Sequence, residues 1–235
     1  MEVLAGTSGF SYQEWKGDFY PQDVSPAKMI GYYAEQLPAV EINNTALRLP
    51  REESIDKWAQ QVPYTFRFSV KAPQVITHRT VQQGVENEIS KLLSSVAALE
   101  HLLGVVLFQI PVFVQKEFSL LDAIIDYWPK DISVAFEFHH QSWHDDDVYR
   151  FLRRNNAALC NANSNGQNES IVATANWGYL RMRNESYDAA VLQNCLKLIQ
   201  SQPWERVYVF FRYENNSQTP KFASQFMQLV KNSPV

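Results

Sequence analysis

The chain has 235 residues, a formal net charge of −4 and a hydrophobic fraction of 46%. This composition is typical of a folded globular chain and excludes intrinsic disorder. The apolar run 105–114 is interrupted by Gln109 and Pro111 and is shorter than the roughly 18 residues that a membrane helix needs. The slight acidic excess argues against nucleic acid coating. We therefore expect neither a membrane nor nucleic acid as a partner.

The cellular setting follows from the first residues and the cysteines. The start, MEVLAGTSGF, has no basic segment and no long apolar stretch, so a signal peptide is not expected. Cys160 and Cys195 are too few for a disulfide framework. Cys160 lies on the same apolar face of its predicted strand as Ala158 and Ala162, which predicts a buried thiol and not a nucleophile. These features predict a cytoplasmic protein.

Eight short runs rich in β-branched and aromatic residues predict strands. Their spacing averages roughly 29 residues, which is the pace of a repeated strand–helix unit. The predicted strands are 3–8, 39–43, 65–71, 105–110, 133–138, 157–162, 178–183 and 207–212.

Helical periodicity fills most of the intervals between these strands. Gly104 is placed to end the longest predicted helix. The segment 164–176 has weak periodicity, so the sixth helix is expected to be short or missing. The predicted helices are 25–37, 51–61, 86–104, 118–128, 145–156, 189–201 and 220–232.

This alternation predicts an α/β protein, a single TIM-like (β/α)₈ barrel domain of near-minimal length over 1–235. The alternative is a doubly wound open sheet, which also alternates strands and helices. That fold usually carries a glycine-rich phosphate turn, whereas this chain has only 8 glycines and no GxGxxG motif. The pattern therefore favours the barrel.

Several predicted strands carry apolar side chains on one parity and polar side chains on the other. The apolar parity should face the helices and the polar parity the barrel axis. Barrel interiors usually hold branched aliphatic side chains, and buried charges are costly unless they are paired. The polar parity therefore predicts a pocket, lined by Glu41, Asn43, Arg67, Ser69, Lys71, Glu137, His139, Arg181, Arg183 and Arg212.

Five cationic side chains on this parity oppose two glutamates. The local excess predicts a small anionic ligand that bears phosphate or carboxylate. An ion-pair lattice that only stabilises the barrel is the alternative. Arg67 and Arg181 lie nearer the middle of their strands and are expected to be structural. Lys71, Arg183 and Arg212 end their strands, where barrel active sites occur.

A histidine cluster follows the fifth predicted strand. His139, His140 and His144 are three of the five histidines in the chain and lie close behind Glu137. A glutamate beside a histidine can serve as an acid/base pair or as two metal ligands. No HxH or HExxH motif occurs, and loop histidines that only form hydrogen bonds remain a third interpretation.

Lys71 ends the third predicted strand. Its amine could bind an anion, act as a base or form a Schiff base, and a core ion pair with Glu41 or Glu137 is the alternative. His78 follows in the next loop. Glu41 and Asn43 suit the orientation of a polar substrate group, although Asn44 could instead cap the loop.

Long motifs in a fixed order resemble the YecE-like family, known as domain of unknown function 72. They are GTSGFSYQEWKGDFYP, VEINNTALRLP, FRFSVKAPQVITH, LFQIP, FEFHHQSW and VYVFF, and they cover nearly the whole chain. The resemblance implies a TIM-like barrel and carries no established activity. It adds Gln109 and Trp143 to the candidate binding residues. The matching residues are Gly6, Ser8, Trp15, Tyr20, Glu41, Asn43, Thr45, Lys71, His78, Gln109, Glu137, His140 and Trp143.

Several positions depart from the pattern that this resemblance implies. Ala46 and Leu47 replace two aromatic residues, and Asn163 replaces an aspartate. His139 stands where the family has arginine, and Arg183 where it has histidine. These departures indicate a divergent member with a changed ligand or a lost activity.

The first hypothesis is an enzyme that acts on a small anionic substrate with no cofactor. Its predicted catalytic residues are Glu137, His139, His140 and Lys71, and its predicted binding residues are Glu41, Asn43, His78, Gln109, Trp143, Arg183 and Arg212. The second is a metal-dependent phosphoester hydrolase that could act on nucleic acid. The third is a non-catalytic binding protein, with Tyr12, Trp15 and Trp143 exposed around the barrel mouth.

Overall fold

Eight parallel strands close into a barrel in the order of the sequence. The computed structural model describes residues 1–46, 49–78, 84–163, 171–212 and 217–233, and of Asn163 the backbone alone. The barrel confirms the eight predicted strands and the TIM-like fold, and the open-sheet alternative is wrong. The strands are β1 (Glu2–Ser8), β2 (Ala39–Ile42), β3 (Arg67–Lys71), β4 (Leu103–Ile110), β5 (Val134–Phe138), β6 (Ala158–Asn163), β7 (Trp177–Met182) and β8 (Arg206–Phe211).

Helices follow seven of these strands in the described part of the chain. Residues 171–176, between β6 and β7, contain no helix, as predicted, and 164–170 lie outside the described residues. Among the described residues, no helix is long and apolar enough to cross a membrane. The helices are α1 (Met29–Gln36), α2 (Glu52–Ala59), α3 (Gln74–Thr77), α4 (Glu86–Val96), α5 (Phe118–Asp126), α6 (Asp146–Arg154), α7 (Ala189–Gln200) and α8 (Thr219–Asn232).

Aspartate caps start two of the helices. The Asp145 carboxylate accepts hydrogen bonds from the backbone N–H groups of Asp147 and Val148, each at 3.0 Å, at the start of α6. Asp188 accepts from the N–H of Val191 at 2.8 Å at the start of α7. Each cap satisfies N–H groups that the first turn of a helix leaves unpaired, which fixes where the helix begins.

The main core lies between the barrel and the helices. Val40 of β2, Phe68 of β3 and Phe136 of β5 are fully buried and pack in one cluster with helix residues such as Leu92 and Leu152. This confirms the prediction that the apolar parity of these strands faces outward. The opposite parity is thereby turned toward the barrel axis.

Aromatic side chains of β7 and β8 fill much of the barrel interior. Tyr179, Tyr208 and Phe210 are buried there in contact with small residues of other strands, including Ala135. Gly104 belongs to this packing, because a Cβ at this position would lie 2.9 Å from Tyr208 Oη. The prediction that Gly104 ends a helix is therefore wrong: α4 ends at Val96, a short 3₁₀ turn follows, and Gly104 lies in β4.

In β6 the small apolar side chains face the barrel axis, which is the reverse of the expectation that apolar side chains face the helices. Ala158 and Cys160 lie in the interior cluster with Tyr179, so their apolar parity faces the axis and not the helices. The outward Asn161 accepts a hydrogen bond from the backbone N–H of Val172 at 3.0 Å. Small side chains are needed on this side of the axis because Tyr179 occupies it. Cys160 is buried, as predicted, and burial raises the pKa of its thiol.

Arg67 lies at the opposite end of the barrel from the predicted pocket. It is the first residue of β3, and its guanidinium donates to the carbonyl oxygens of Tyr64 and Phe66, both at 2.9 Å. The expectation that it lies nearer the middle of its strand is therefore wrong, although it shares the inward parity of Ser69 and Lys71 and its charge acts on Tyr208 in the barrel interior.

Candidate functional site

A buried cluster of polar side chains occupies the barrel axis near the carboxyl ends of the strands. Active sites of barrel enzymes lie at this end of the fold. Glu41, Ser69 and Arg181 are completely buried, and Glu137 is 2% exposed. These residues come from β2, β3, β7 and β5, so the closure of the barrel is what brings them together.

Arg181 connects the two glutamates of this cluster. Its Nη2 lies 2.9 Å from Glu41 Oε1 and its Nη1 lies 2.6 Å from Glu137 Oε2. Burial alone would lower the pKa of Arg181, but the charges of the two glutamates raise it above its usual value. The guanidinium is therefore permanently charged and structural, in agreement with the prediction for this residue.

Glu41 has donors on both carboxylate oxygens. Ser8 Oγ and Arg181 donate to Oε1, and Tyr179 Oη donates to Oε2 at 2.6 Å. Asn43 Nδ2 donates to Ser8 Oγ, while Asn43 Oδ1 is buried without a hydrogen-bond partner among the described residues. Glu41 is thus fixed in place, and Asn43 keeps an unused acceptor beside it.

Two guanidinium groups and one imidazole contact the Glu137 carboxylate. Its Oε1 accepts from Arg183 Nη2 and lies 2.9 Å from His139 Nε2, and its Oε2 accepts from Arg181. Burial by itself would raise the pKa of Glu137, but Arg181, the hydrogen bond with His139 and the charge of Arg183 hold it well below the usual range. The side-chain amide of Gln109 also lies 2.9 Å from His139 Nε2. Glu137 therefore orients His139 and stays ionised.

Lys71 has no such partner. It is 8% exposed at the end of β3, and within the described residues its amine has neither a hydrogen bond nor an ion pair. Burial lowers its pKa, Arg181 lowers it further, and Glu41 and Glu137 oppose this only in part. The core ion pair considered from the sequence is wrong, because other groups already occupy both carboxylates.

A cavity of about 640 Å³ opens beside Glu137. His139 and Arg183 are among its polar lining residues. The Nε of Arg183 is buried and has no hydrogen-bond acceptor among the described residues. Lys71 is not among the described lining residues, although its amine is within electrostatic reach of Glu137. Further lining residues are Val112, Phe138, His144, Tyr149, Asn161 and Val172.

His140 and Trp143 lie outside this site. His140 Nδ1 accepts from the backbone N–H of Ser142 at 3.1 Å and so caps a short 3₁₀ turn. Trp143 is fully buried, stacks on Phe138 at 4.7 Å between ring centroids and donates to the carbonyl of Val114 at 2.8 Å. Its buried indole corrects the expectation of a ligand contact. His140 is likewise occupied in the turn and does not contact Glu137.

The remaining candidates lie at the rim. His78 follows α3, is exposed, and has its ring 5.2 Å from that of Phe113. Arg212 follows β8, donates its backbone N–H to Met182 at 2.8 Å and contributes to the positive potential at Lys71. Tyr12 is 40% exposed and donates to the Ser8 carbonyl, whereas Trp15 is 4% exposed. With Trp15 and Trp143 buried, the expected ring of exposed aromatics is wrong.

The possible metal ligands of the described residues do not gather into a metal site. Over the described ranges, no group of three or more His, Cys, Asp or Glu side chains is placed to hold a metal ion. Glu137, the expected ligand, already accepts from two guanidinium groups, which would oppose a cation at the same oxygens.

Sequence reasoning missed Tyr179 altogether and gave Ser8 no role in the site, although Ser8 belongs to the family resemblance and Ser69 to the predicted pocket. Ser8 and Tyr179 bind Glu41, and Ser69 Oγ lies 2.7 Å from Tyr179 Oη. Tyr179 has the same parity in β7 as Arg181, so strand alternation could have placed it on the axis. Thr45, which the resemblance includes, donates to the Lys71 carbonyl at 2.6 Å and fixes the end of β3.

The fold and the site define a parallel (β/α)₈ barrel with a buried charged centre at the carboxyl ends of its strands. A family model described as protein of unknown function DUF72 matches residues 4–234. The chain therefore belongs to the DUF72 family.

Named relatives agree with this assignment. UPF0759 protein YecE of Escherichia coli K12 is 28% identical over 109 residues, which are 46% of this chain and 40% of YecE. UPF0759 protein YunF of Bacillus subtilis is 28% identical over 159 residues, 63% of this chain and 54% of YunF. The matches thus span about two fifths and about half of the lengths of these relatives.

Solved structures of DUF72 proteins share the fold. The protein from Thermotoga maritima superposes with a TM-score of 0.85 at 24% identity, over 99% of this chain and 100% of its own. The protein from Enterococcus faecalis gives a TM-score of 0.80 at 21% identity, over 99% and 97%.

Two of the departures from the expected family pattern meet at one atom. His139 and Arg183 both contact Glu137 Oε1, and the resemblance places an arginine and a histidine at these positions in the reverse order. Relative to that implied pattern, this chain has one imidazole and one guanidinium on Glu137 in exchanged places. Ala46 is buried in a 3₁₀ turn, whereas Leu47 and the Asn163 side chain lie outside the described residues.

Proposed function

We propose that this protein is a barrel enzyme that binds a small anionic substrate in the cavity beside Glu137 and carries out acid/base chemistry with His139. The observation that carries the proposal is the buried Nε donor of Arg183. Its guanidinium lines the cavity and donates through Nη2 to Glu137, yet its buried Nε has no acceptor among the described residues. A phosphate or carboxylate oxygen is the acceptor that suits such a group.

The charge balance at this end of the barrel supports an anion. Arg181 and Arg183 already match the charges of Glu41 and Glu137, so the carboxylates leave no net negative charge at this end of the barrel. Arg212 adds to the positive potential at Lys71. An anionic substrate would be attracted to this potential in a setting of low dielectric constant, where the attraction is strong.

His139 suits proton transfer better than Glu137 does. Its Nε2 lies 2.9 Å from Glu137 Oε1, which orients the ring, and its side chain is 35% exposed beside the cavity. Glu137 is held ionised by its neighbours, so it supports His139 and does not itself exchange a proton. A cytoplasmic location, where Cys160 and Cys195 stay free thiols, belongs to this proposal.

Calorimetric titration with inorganic phosphate, glycerol 3-phosphate and lactate tests the proposal. Arg183→Met should weaken the binding of the preferred anion by about tenfold to a hundredfold, since a charge-assisted hydrogen bond contributes about 1.5–3 kcal/mol. Arg67→Met is the matched control, because Arg67 lies at the other end of the barrel. Equal affinity in the wild type and Arg183→Met would overturn the assignment of this cavity.

A further inference from the structure

Lys71 is the one cationic residue of the site whose amine has no bonding partner in the described part of the chain. We propose that Lys71 is an amine nucleophile that forms an imine with the substrate. The substrate is then an aldehyde or ketone that also carries phosphate or carboxylate. This inference rests on the proposed function and names its substrate class.

The position of Lys71 suits this role. It ends β3 on the barrel axis, and Thr45 Oγ1 holds its backbone carbonyl at 2.6 Å, so the stem of the side chain starts from a fixed point. It is 8% exposed, so the residue is not completely enclosed, and its amine lies within electrostatic reach of Glu137, which lines the cavity. The anion is assigned to Arg183 instead, whose Nε lacks an acceptor among the described residues.

The environment favours the neutral form of this amine. Glu41 accepts from Ser8, Tyr179 and Arg181, and Glu137 is likewise occupied. Taking an ammonium out of water without a partner is unfavourable, and the Arg181 guanidinium repels it further. The lowered pKa of Lys71 agrees with this argument. A neutral amine is the nucleophilic form of lysine.

The reaction balances without an oxidant or reductant. The Nζ lone pair attacks the carbonyl carbon, the C=O π electrons move to oxygen, and a proton passes from nitrogen to that oxygen to give a carbinolamine. The nitrogen lone pair then forms C=N as the hydroxyl leaves, taking a second proton as water. His139 is the group placed to carry protons, and Glu41 and Glu137 would stabilise a protonated imine.

Reductive trapping of the wild-type protein tests the proposal. The probe is glyoxylate, a small aldehyde with a carboxylate, with cyanoborohydride at pH 7 as the hydride donor. Trapping adds the mass of the probe less one oxygen atom, which peptide mass spectrometry locates. Lys71 should be labelled faster than the exposed Lys57 and Lys130, because its lowered pKa leaves more of the amine neutral at pH 7. Formaldehyde, which lacks the anionic group, is the comparison aldehyde.

The outcomes separate this inference from the proposed function. Preferential labelling of Lys71 by glyoxylate, with protection by inorganic phosphate, supports both. Fast labelling by both aldehydes without phosphate protection supports the nucleophile and overturns the anion site. If Lys71 is labelled more slowly than Lys57 and Lys130 while phosphate still binds, the nucleophile is overturned and the anion site stands.

Discussion

Arg181 Nη1 lies 2.6 Å from Glu137 Oε2, in a pair with side-chain exposures of 0% and 3%. A buried ion pair is a weak source of net stability, because removing both charges from water costs about as much as their attraction gains. Its effect here is positional. Because Arg181 also binds Glu41, it fixes the carboxylates of β2 and β5 relative to each other across the barrel axis.

Removing this guanidinium should strongly destabilise the fold. Arg181→Met leaves Glu41 and Glu137 buried without their common partner, so the free energy of unfolding should fall by about 3–5 kcal/mol. Urea unfolding at pH 7 measures this. Arg67→Met removes two hydrogen bonds to backbone carbonyls at the first residue of β3 and should lower the free energy of unfolding by only about 1 kcal/mol. Similar losses in the two variants would contradict the role given to Arg181.

The Glu137 carboxylate should make stability depend on pH in the acid range. Its pKa is lower in the folded state than the value of about 4.3 in an unfolded chain. The stabilisation is therefore complete above about pH 4.3 and is lost as the pH falls toward the folded pKa. The difference in unfolding free energy between wild type and Glu137→Gln should accordingly be about 3 kcal/mol at pH 7 and shrink steadily below pH 4. A difference that stays constant with pH would exclude this carboxylate as the cause.

Trp143 should contribute to stability and not to anion binding. Trp143→Phe keeps the ring stacked on Phe138 but removes the donor to the partly buried Val114 carbonyl. We expect a loss of about 1–3 kcal/mol in the free energy of unfolding. The affinity for the anion preferred by the wild type should stay the same in calorimetry. A large loss of affinity in a variant with normal unfolding would return Trp143 to the binding residues.

Strand alternation in the sequence predicts the barrel and most of the axis residues. The outward Val40 and Phe136 leave Glu41 and Glu137 facing inward, because successive side chains point to opposite faces. The rule failed at Cys160, where an aromatic residue of the neighbouring strand requires a small inward side chain. That requirement is tertiary, so local pattern could not supply it.

For a similar reason, the sequence does not predict which side chains of the site form hydrogen bonds with one another. Parity predicts that Lys71 and Arg181 face the axis, but not which of them reaches the glutamates. The distances show Arg181 between both carboxylates and Lys71 without a bonding partner among the described residues. The binding role predicted for Trp143 is wrong because Trp143 lies in a loop, where no periodic pattern indicates which way a side chain faces.

The exchange of His139 and Arg183 leads to the last prediction. Both side chains contact Glu137 Oε1, so their effects on stability should be coupled and not additive. His139→Arg alone places a third guanidinium near Glu137, and Arg183→His alone leaves it two imidazoles. Each single variant should lower the free energy of unfolding, and the double variant should recover about 1 kcal/mol relative to their sum, because it restores one group of each kind. Urea unfolding of the four proteins at pH 7 gives the coupling energy. A purely additive cycle would mean that the two positions act on Glu137 independently, and the exchange would then have no compensating role.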